Sequence, residues 1–295
     1  MAKRVFLIAP LLFASFLLYA QTTMWTLHVP YYGAQYLYLD DRYVPSDSLC
    51  AINLQVIYHY SSVIDTIEKT KTGERMQLEV GRNLSKFSSY ERFMMDSLLK
   101  YSPHPNVAEI AVSVLSRKRV SPEFFETVYL NYPTGHLTVS GRLVAADFIY
   151  EEPMPVFNWT ITDTTGVWCG YTTIKAVCHF RGRDYEAWFA PDIPVSRGPW
   201  KFYGLPGLIL IVKDSEGLFS YEALTVNNHN TGFIGKPRYA YSETDRDAYV
   251  KAKKNIIANY PLYQKYYNNG TGIIVSPRPG YKAKSMRYDL IEKGD

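Results

Sequence analysis

The stretch "GPWKFYGLPGLILIVKD", residues 198–214, decides the fold. Its second half opens with five consecutive large apolar residues, Leu208 to Val212. A strand apolar on both faces must be covered on both sides, unlike one that lies half in water. The first half is broken by glycine and proline. In Leu205-Pro206-Gly207-Leu208, proline presets φ for the second position of a turn and glycine supplies the positive φ wanted at the third, which predicts a type II turn. A phosphate-gripping loop is the alternative for a glycine-rich stretch. Such loops open a helix and carry a lysine and a hydroxyl residue, whereas this one leads into β-like sequence. The six residues Gly204, Leu205, Pro206, Gly207, Leu208 and Ile209 therefore read as a structural motif.

Working outward, period-two alternation dominates. "INLQVIYHY" (52–60) puts Ile52, Leu54, Val56, Tyr58 and Tyr60 on one face, and "ERMQLEV" (74–80) puts Met76, Leu78 and Val80 there. "FETVYLNYP", "HLTVSG" and "RLVAADFIYEE" read as three further strands. "YTTIKAVCHF" (171–180) and "YEAWFAP" (185–191) flank the short turn "RGRD", and "LILIVKD" and "LFSYEALTV" flank a turn at "SEG". Strands joined by connections this short make an antiparallel meander. Two helices are predicted. One is "YERFMMDSLLKY" (90–101). The other is "SETDRDAYVKAKKNIIANY" (242–260), with Ser242 as N-cap, Asp245 three residues on, and Pro261 to end it. With 26 Tyr among 295 residues and no repeat or low-complexity linker, the predicted class is α+β and β-rich. It is a single curved antiparallel sheet, half-open and barrel-like, with a C-terminal helix.

The amino terminus reads as a secretory signal. Lys3 and Arg4 precede an apolar run, "VFLIAPLLFASFLL", and Ala20 before Gln21 is the expected cleavage point. A retained membrane anchor is the alternative. No cysteine stands at the junction, so no lipid attachment is expected there. The predicted organisation is a signal peptide over 1–20 and one domain over 21–295, placed in the periplasm or cell envelope or secreted, and peripheral to membrane at most. Three cysteines, Cys50, Cys169 and Cys178, leave at least one unpaired within the chain. Cys169 and Cys178 can meet only if the chain turns between them, and Cys178 reads as a small buried hydrophobe.

The motif "GLPGLIL", preceded by "FRGRDYEAWFAPDIPVSRGPWKFY", resembles the signature of the GLPGLI family, exported proteins of Bacteroidota. "LEVGRNLSKFSSY", "EEPMPVFNWTI" and "GYTTIKAVCHFRGR" are similar to other blocks of that family, and "RYDLIE" is similar to its C-terminus. Many relatives carry cysteine where Thr173 stands here. The resemblance implies export and a motif identity, with no activity attached.

No chemistry-bearing motif is present. C-x-x-C, H-E-x-x-H and G-x-S-x-G are all missing, so neither a metal site nor a serine nucleophile is expected. No cofactor is expected either. Cys178 and His179 point to opposite faces of a strand and cannot form a dyad. A formal net charge of +4 argues against nucleic acid as a partner. Arg181, Arg183, Arg197 and Lys201 fall close together beside Trp188 and Trp200. Four cations on one rim would bind a carboxylate, phosphate or acidic sugar. A solvated sheet edge kept positive against stray pairing is the competing account. The leading expectation is a non-catalytic envelope protein that binds an apolar or amphipathic ligand, lipid-like or glycan, or an outer-membrane partner. A hydrolase using Asp184, Glu186 or Asp192 and an assembly factor are the alternatives.

Overall fold

The structure, a computed structural model, describes residues 44–67, 69–101, 126–143, 146–228, 232–259 and 290–292. The expected signal peptide and cleavage point, Pro261 and the first half of "RYDLIE" lie outside them. The elements run β1 (Ser46–Ala51), β2 (Leu54–Asp65), β3 (Thr70–Val80), β4 (Ser85–Ser89), α1 (Tyr90–Tyr101), β5 (Thr127–Leu130), β6 (His136–Leu143) and β7 (Ala146–Pro153). They continue with β8 (Thr160–Trp168), β9 (Tyr171–Phe180), β10 (Arg183–Ala190), β11 (Leu208–Asp214), β12 (Phe219–Asn227), β13 (Phe233–Pro237), β14 (Ser242–Glu243) and α2 (Arg246–Ala258).

Twelve strands form one curved, unclosed sheet in the order β14-β7-β6-β5-β4-β3-β2-β12-β11-β10-β9-β8. Every neighbouring pair is antiparallel except β14, which runs parallel to β7. A separate ribbon pairs β1 with β13. The expected β-rich α+β class with a C-terminal helix is what the chain adopts. The turns follow local chemistry. Arg181 and Gly182, with φ of 46° and 77°, make the two-residue turn between β9 and β10, and Cys169 and Gly170 repeat it between β8 and β9.

The alternating residues fill the concave side. Val56, Tyr58, Tyr60, Leu78, Leu137, Val139, Ala176 and Ala187 are all buried. Leu208 to Val212 are buried on both faces, as their sequence requires. Segment 191–207 covers one of those faces. Leu208 N donates to Ile193 O at 3.0 Å and Ile209 N to Arg197 O at 2.9 Å. Trp200, Phe202 and Leu205 drop into the interior, where Phe202 packs edge-on against Tyr185 with centroids 4.8 Å apart. The curl brings distant strands together: Trp168 Nε1 at the end of β8 donates to Ala223 O of β12 at 2.7 Å.

Three local expectations are corrected. Gly207 does not carry the positive φ; Gly204 does, at 95°. Gly207 N donates back to Leu205 O at 2.9 Å, a three-residue turn centred on Pro206, whose fixed φ suits it. Glycine is needed at 207 for room, since a Cβ there would lie 2.3 Å from Ala190 O. Secondly, Ser242 belongs to β14, and Asp245 caps α2 by accepting from Ala248 N at 2.7 Å. Thirdly, "RLVAADFIYEE" is not one strand. Its first two residues end β6 and Ala146 begins β7, which pair antiparallel as a hairpin.

Candidate functional site

Of the four cations singled out from sequence, Arg181, Arg183 and Lys201 come together on one segment of the chain, but inside the protein. Arg183 is 3% exposed and Lys201 1%, so no open rim is formed by them. Lys201 Nζ lies 2.6 Å from Glu292 Oε1, 3.0 Å from Glu152 Oε1 and 3.1 Å from Tyr150 OH. Arg181 bridges the same two carboxylates, at 2.5 Å to Glu152 and 2.6 Å to Glu292, and Arg246 of α2 reaches Glu292 Oε2 at 3.1 Å. Arg183 pairs with Asp214 and Glu216 at 3.0 and 2.9 Å, and its guanidinium donates twice to Leu290 O. Tyr185 OH donates to Ile291 O at 2.6 Å.

What these cations grip is therefore the chain's own Leu290-Ile291-Glu292. That tripeptide and α2 close the gap between β7 and the β9–β10 turn. Burial favours a neutral acid at Glu292, but Lys201, Arg181 and Arg246 outweigh it and hold the carboxyl at about 2. Burial would likewise push the Lys201 ammonium down, yet Tyr150, Glu292 and Glu152 raise it above its ordinary value. The space left beside the cluster is about 20 Å³, room for about one water.

Arg197 stays apart from this cluster and donates to Ser196 O at 2.8 Å. Trp188 is also elsewhere, with Nε1 on Glu186 Oε1 at 2.8 Å. Trp200 joins the interior rings, 5.4 Å from Phe202, with Lys201 Nζ 5.2 Å over its own ring. Among the candidate carboxylates, Asp184 pairs with exposed His179 at 2.6 Å, Glu186 pairs with Lys175, and Asp192 is exposed, so these three do not form one site. Cys178 is buried and His179 exposed, as opposite faces demand.

A cleft of about 380 Å³ lies on the convex side of the sheet. Its floor is the outward row of β3, β4 and β6, which offers Glu79, Lys86, Ser88 and Ser140. One wall is α1, with Arg92, Phe93 and Asp96; the other is β13 and the chain after it, with Phe233, Tyr239 and Tyr241. The helix is set in place by Ser89, whose Oγ accepts from Arg92 N at 3.2 Å, an N-cap that follows directly from the end of β4. Asp147 at the margin is fixed by a two-pronged pair with Arg142, at 3.0 and 2.7 Å.

Lys86, Arg92 and Lys100 balance Glu79, Asp96 and Asp147 in the lining, so the cleft has no strong preference for either sign of charge. Burial raises Asp96, against the pull of Arg92 and Lys86. Burial also raises Tyr239, and lifts Tyr241 to about 12, so both phenols stay protonated; the Tyr241 hydroxyl donates to Pro237 O at 3.4 Å. Their rings stand edge to face, 5.8 Å apart. The arrangement supplies hydroxyl donors and acceptors between apolar walls. Among the described residues, no group of His, Cys, Asp and Glu is placed to hold a metal ion.

None of the cleft residues was singled out from sequence as part of a binding site. They come from separate elements and share no motif. The available signal was the outward half of each alternation, Glu79 on β3 and Lys86 with Ser88 on β4, beside the tyrosine pair at 239 and 241.

A family profile described as "Protein of unknown function (Porph_ging)" matches residues 179–211, from the last two residues of β9 into β11. No curated protein matches the chain. Two solved structures are similar, "Structure of PNGF-II in P21 space group" at 15% identity and TM-score 0.47, and "Structure of PNGF-II in C2 space group" at 16% and 0.45. Each covers 68% of this chain. The chain spans about a third of their length, 33% and 32% respectively.

Proposed function

We propose that the protein is an exported cell-envelope member of the GLPGLI family that binds a saccharide, free or as the head of an amphiphile, in the convex cleft. The observation that carries this reading is the composition of that cleft. Charges of both signs, protonated phenols and serines sit between aromatic walls in a space of about 380 Å³. A sugar hydroxyl donates and accepts at once, and its ring carries an apolar face, so it uses both kinds of wall. A purely apolar ligand would cover the charged and hydroxyl groups of the lining without offering them a hydrogen bond, and because cations and carboxylates balance there, the lining suits a neutral ligand better than a charged one. The acidic-headed amphiphile suggested by the cations loses its support, because three of the four, Arg181, Arg183 and Lys201, are occupied by Glu152, Asp214 and Glu292.

Isothermal titration with a panel of neutral hexose and N-acetylhexosamine oligosaccharides tests the reading. At least one is expected to bind, and Tyr241→Ala to weaken it about tenfold, or about 1.4 kcal/mol. Binding by no sugar of the panel, or unchanged binding by the variant, counts against it. A carboxylate-dependent hydrolase is the second reading, favoured by Asp96, which burial keeps protonated to higher pH, near a second carboxyl at Asp147. Release of reducing ends from a bound oligosaccharide, abolished in Asp96→Asn, would select it.

A further inference from the structure

We propose that β8 is a self-pairing edge through which two copies of this chain join their sheets. Among the described residues β8 stands last in the strand order and bonds only β9, so the backbone groups of its other edge have no strand partner there. The opposite end of the sheet is treated differently. There β14 is two residues long, and the chain turns directly into α2. Edges left open in native sheets are usually shortened or guarded by lysine and proline. β8 is nine residues long, "TITDTTGVW", and has no lysine, arginine or proline. Apart from Asp163 and Gly166 its residues are strand formers, and its apolar side chains lie in water: Ile161 is 49% exposed and Val167 74%.

The sequence of β8 is complementary to itself when read backwards. Pairing two copies antiparallel about a two-fold axis at Thr164 sets Ile161 opposite Val167, Thr162 opposite Gly166 and Asp163 opposite Thr165. Ile161 and Val167 share a face, because their partners on β9, Ala176 and Thr172, are an even number of residues apart. Each exposed apolar side chain then covers the other, twice per dimer. An axis at Asp163 would place the two aspartates face to face, and one at Thr165 would set Val167 against Asp163, so the pattern selects one register. The register shift between Ile161 and Thr165 bends the strand there. Bulges also serve to keep edges from pairing, and the experiment separates these two uses.

Sedimentation velocity of the purified chain, from about 1 to about 200 μM, is expected to show the mass rising from one chain towards two. The double variant I161K/V167K sets lysine against lysine at both contacts and should weaken the dimer at least tenfold. I161K/V167E sets lysine against glutamate at both contacts and should restore it. Both positions are exposed, so the far-UV circular dichroism and the unfolding midpoint of each variant should match the parent. A parent that stays monomeric throughout overturns the proposal. So does a dimer that survives I161K/V167K, or one that I161K/V167E fails to bring back. The cleft is untouched by these changes, so saccharide titration of I161K/V167K tests the binding reading separately.

Discussion

Two regions of this molecule gather charge, and they differ in the room left beside it. The cluster at the mouth of the rolled sheet joins Arg181, Lys201 and Arg246 to Glu152 and Glu292, with about 20 Å³ to spare. The convex cleft also sets cations among carboxylates, but around about 380 Å³. In the first, every cation was brought in to hold another part of the chain. In the second, the charges line a space that the fold leaves open. Proximity of cations therefore identifies a site only when something other than the chain can reach them.

The largest effect should come from the closed cluster. Glu292→Gln leaves three buried cations with one carboxylate, and should destabilise by about 3–5 kcal/mol in urea unfolding, the range for breaking a buried pair. Lys201→Met leaves two cations with two carboxylates and should cost distinctly less. Equal costs would mean that packing, not charge balance, governs the cluster. The pH dependence sharpens the same contrast. Glu292 is depressed from 4.5 to about 2 in the folded protein, so its contribution is fully present above about pH 4.5 and is lost as pH falls towards 2. The stability gap between the parent and Glu292→Gln should narrow over that window. A gap that stays constant down to pH 2 would show that the carboxylate is not held by its cations.

Next come the glycines of the motif. Gly207→Ala forces a Cβ to within 2.3 Å of Ala190 O and should cost about 1–3 kcal/mol. Gly204→Ala meets nothing closer than Trp159 at 3.7 Å and carries only the cost of positive φ, about 1 kcal/mol. The reverse order in unfolding midpoints would restore the turn expected from sequence.

That reversal shows what the sequence could carry. Strand alternation depends on neighbours along the chain, so the buried rows of β2, β3, β9 and β10 were legible, as was a β11 covered on both faces. Proline and glycine announced a turn at 205–208, but not which glycine takes positive φ, because that depends on how closely Ala190 approaches. Four cations near 181–201 were expected on one rim; Arg181, Arg183 and Lys201 instead meet in the interior and Arg197 stays apart. Their burial was not legible, since it depends on Glu292, Glu152 and Arg246, up to 111 positions away in the chain. The cleft was the least legible feature. It joins Glu79, Asp96, Ser140 and Tyr241, which only the curl of the sheet and the return of β13 bring together.

The smallest effect on stability belongs to the cleft, where saccharide binding is read out directly. Asp96 keeps solvent access on α1 although the cleft walls crowd its carboxyl, and Asp96→Asn should shift stability by no more than about 0.5 kcal/mol. Titrate the best-binding oligosaccharide of the panel into Asp96→Asn and into Lys201→Met, each with its unfolding midpoint measured alongside. The account predicts about tenfold weaker binding with unchanged stability for Asp96→Asn, and lowered stability with parental binding for folded Lys201→Met. Parental binding by Asp96→Asn, together with lost binding by folded Lys201→Met, would contradict it and return the ligand to the buried cations.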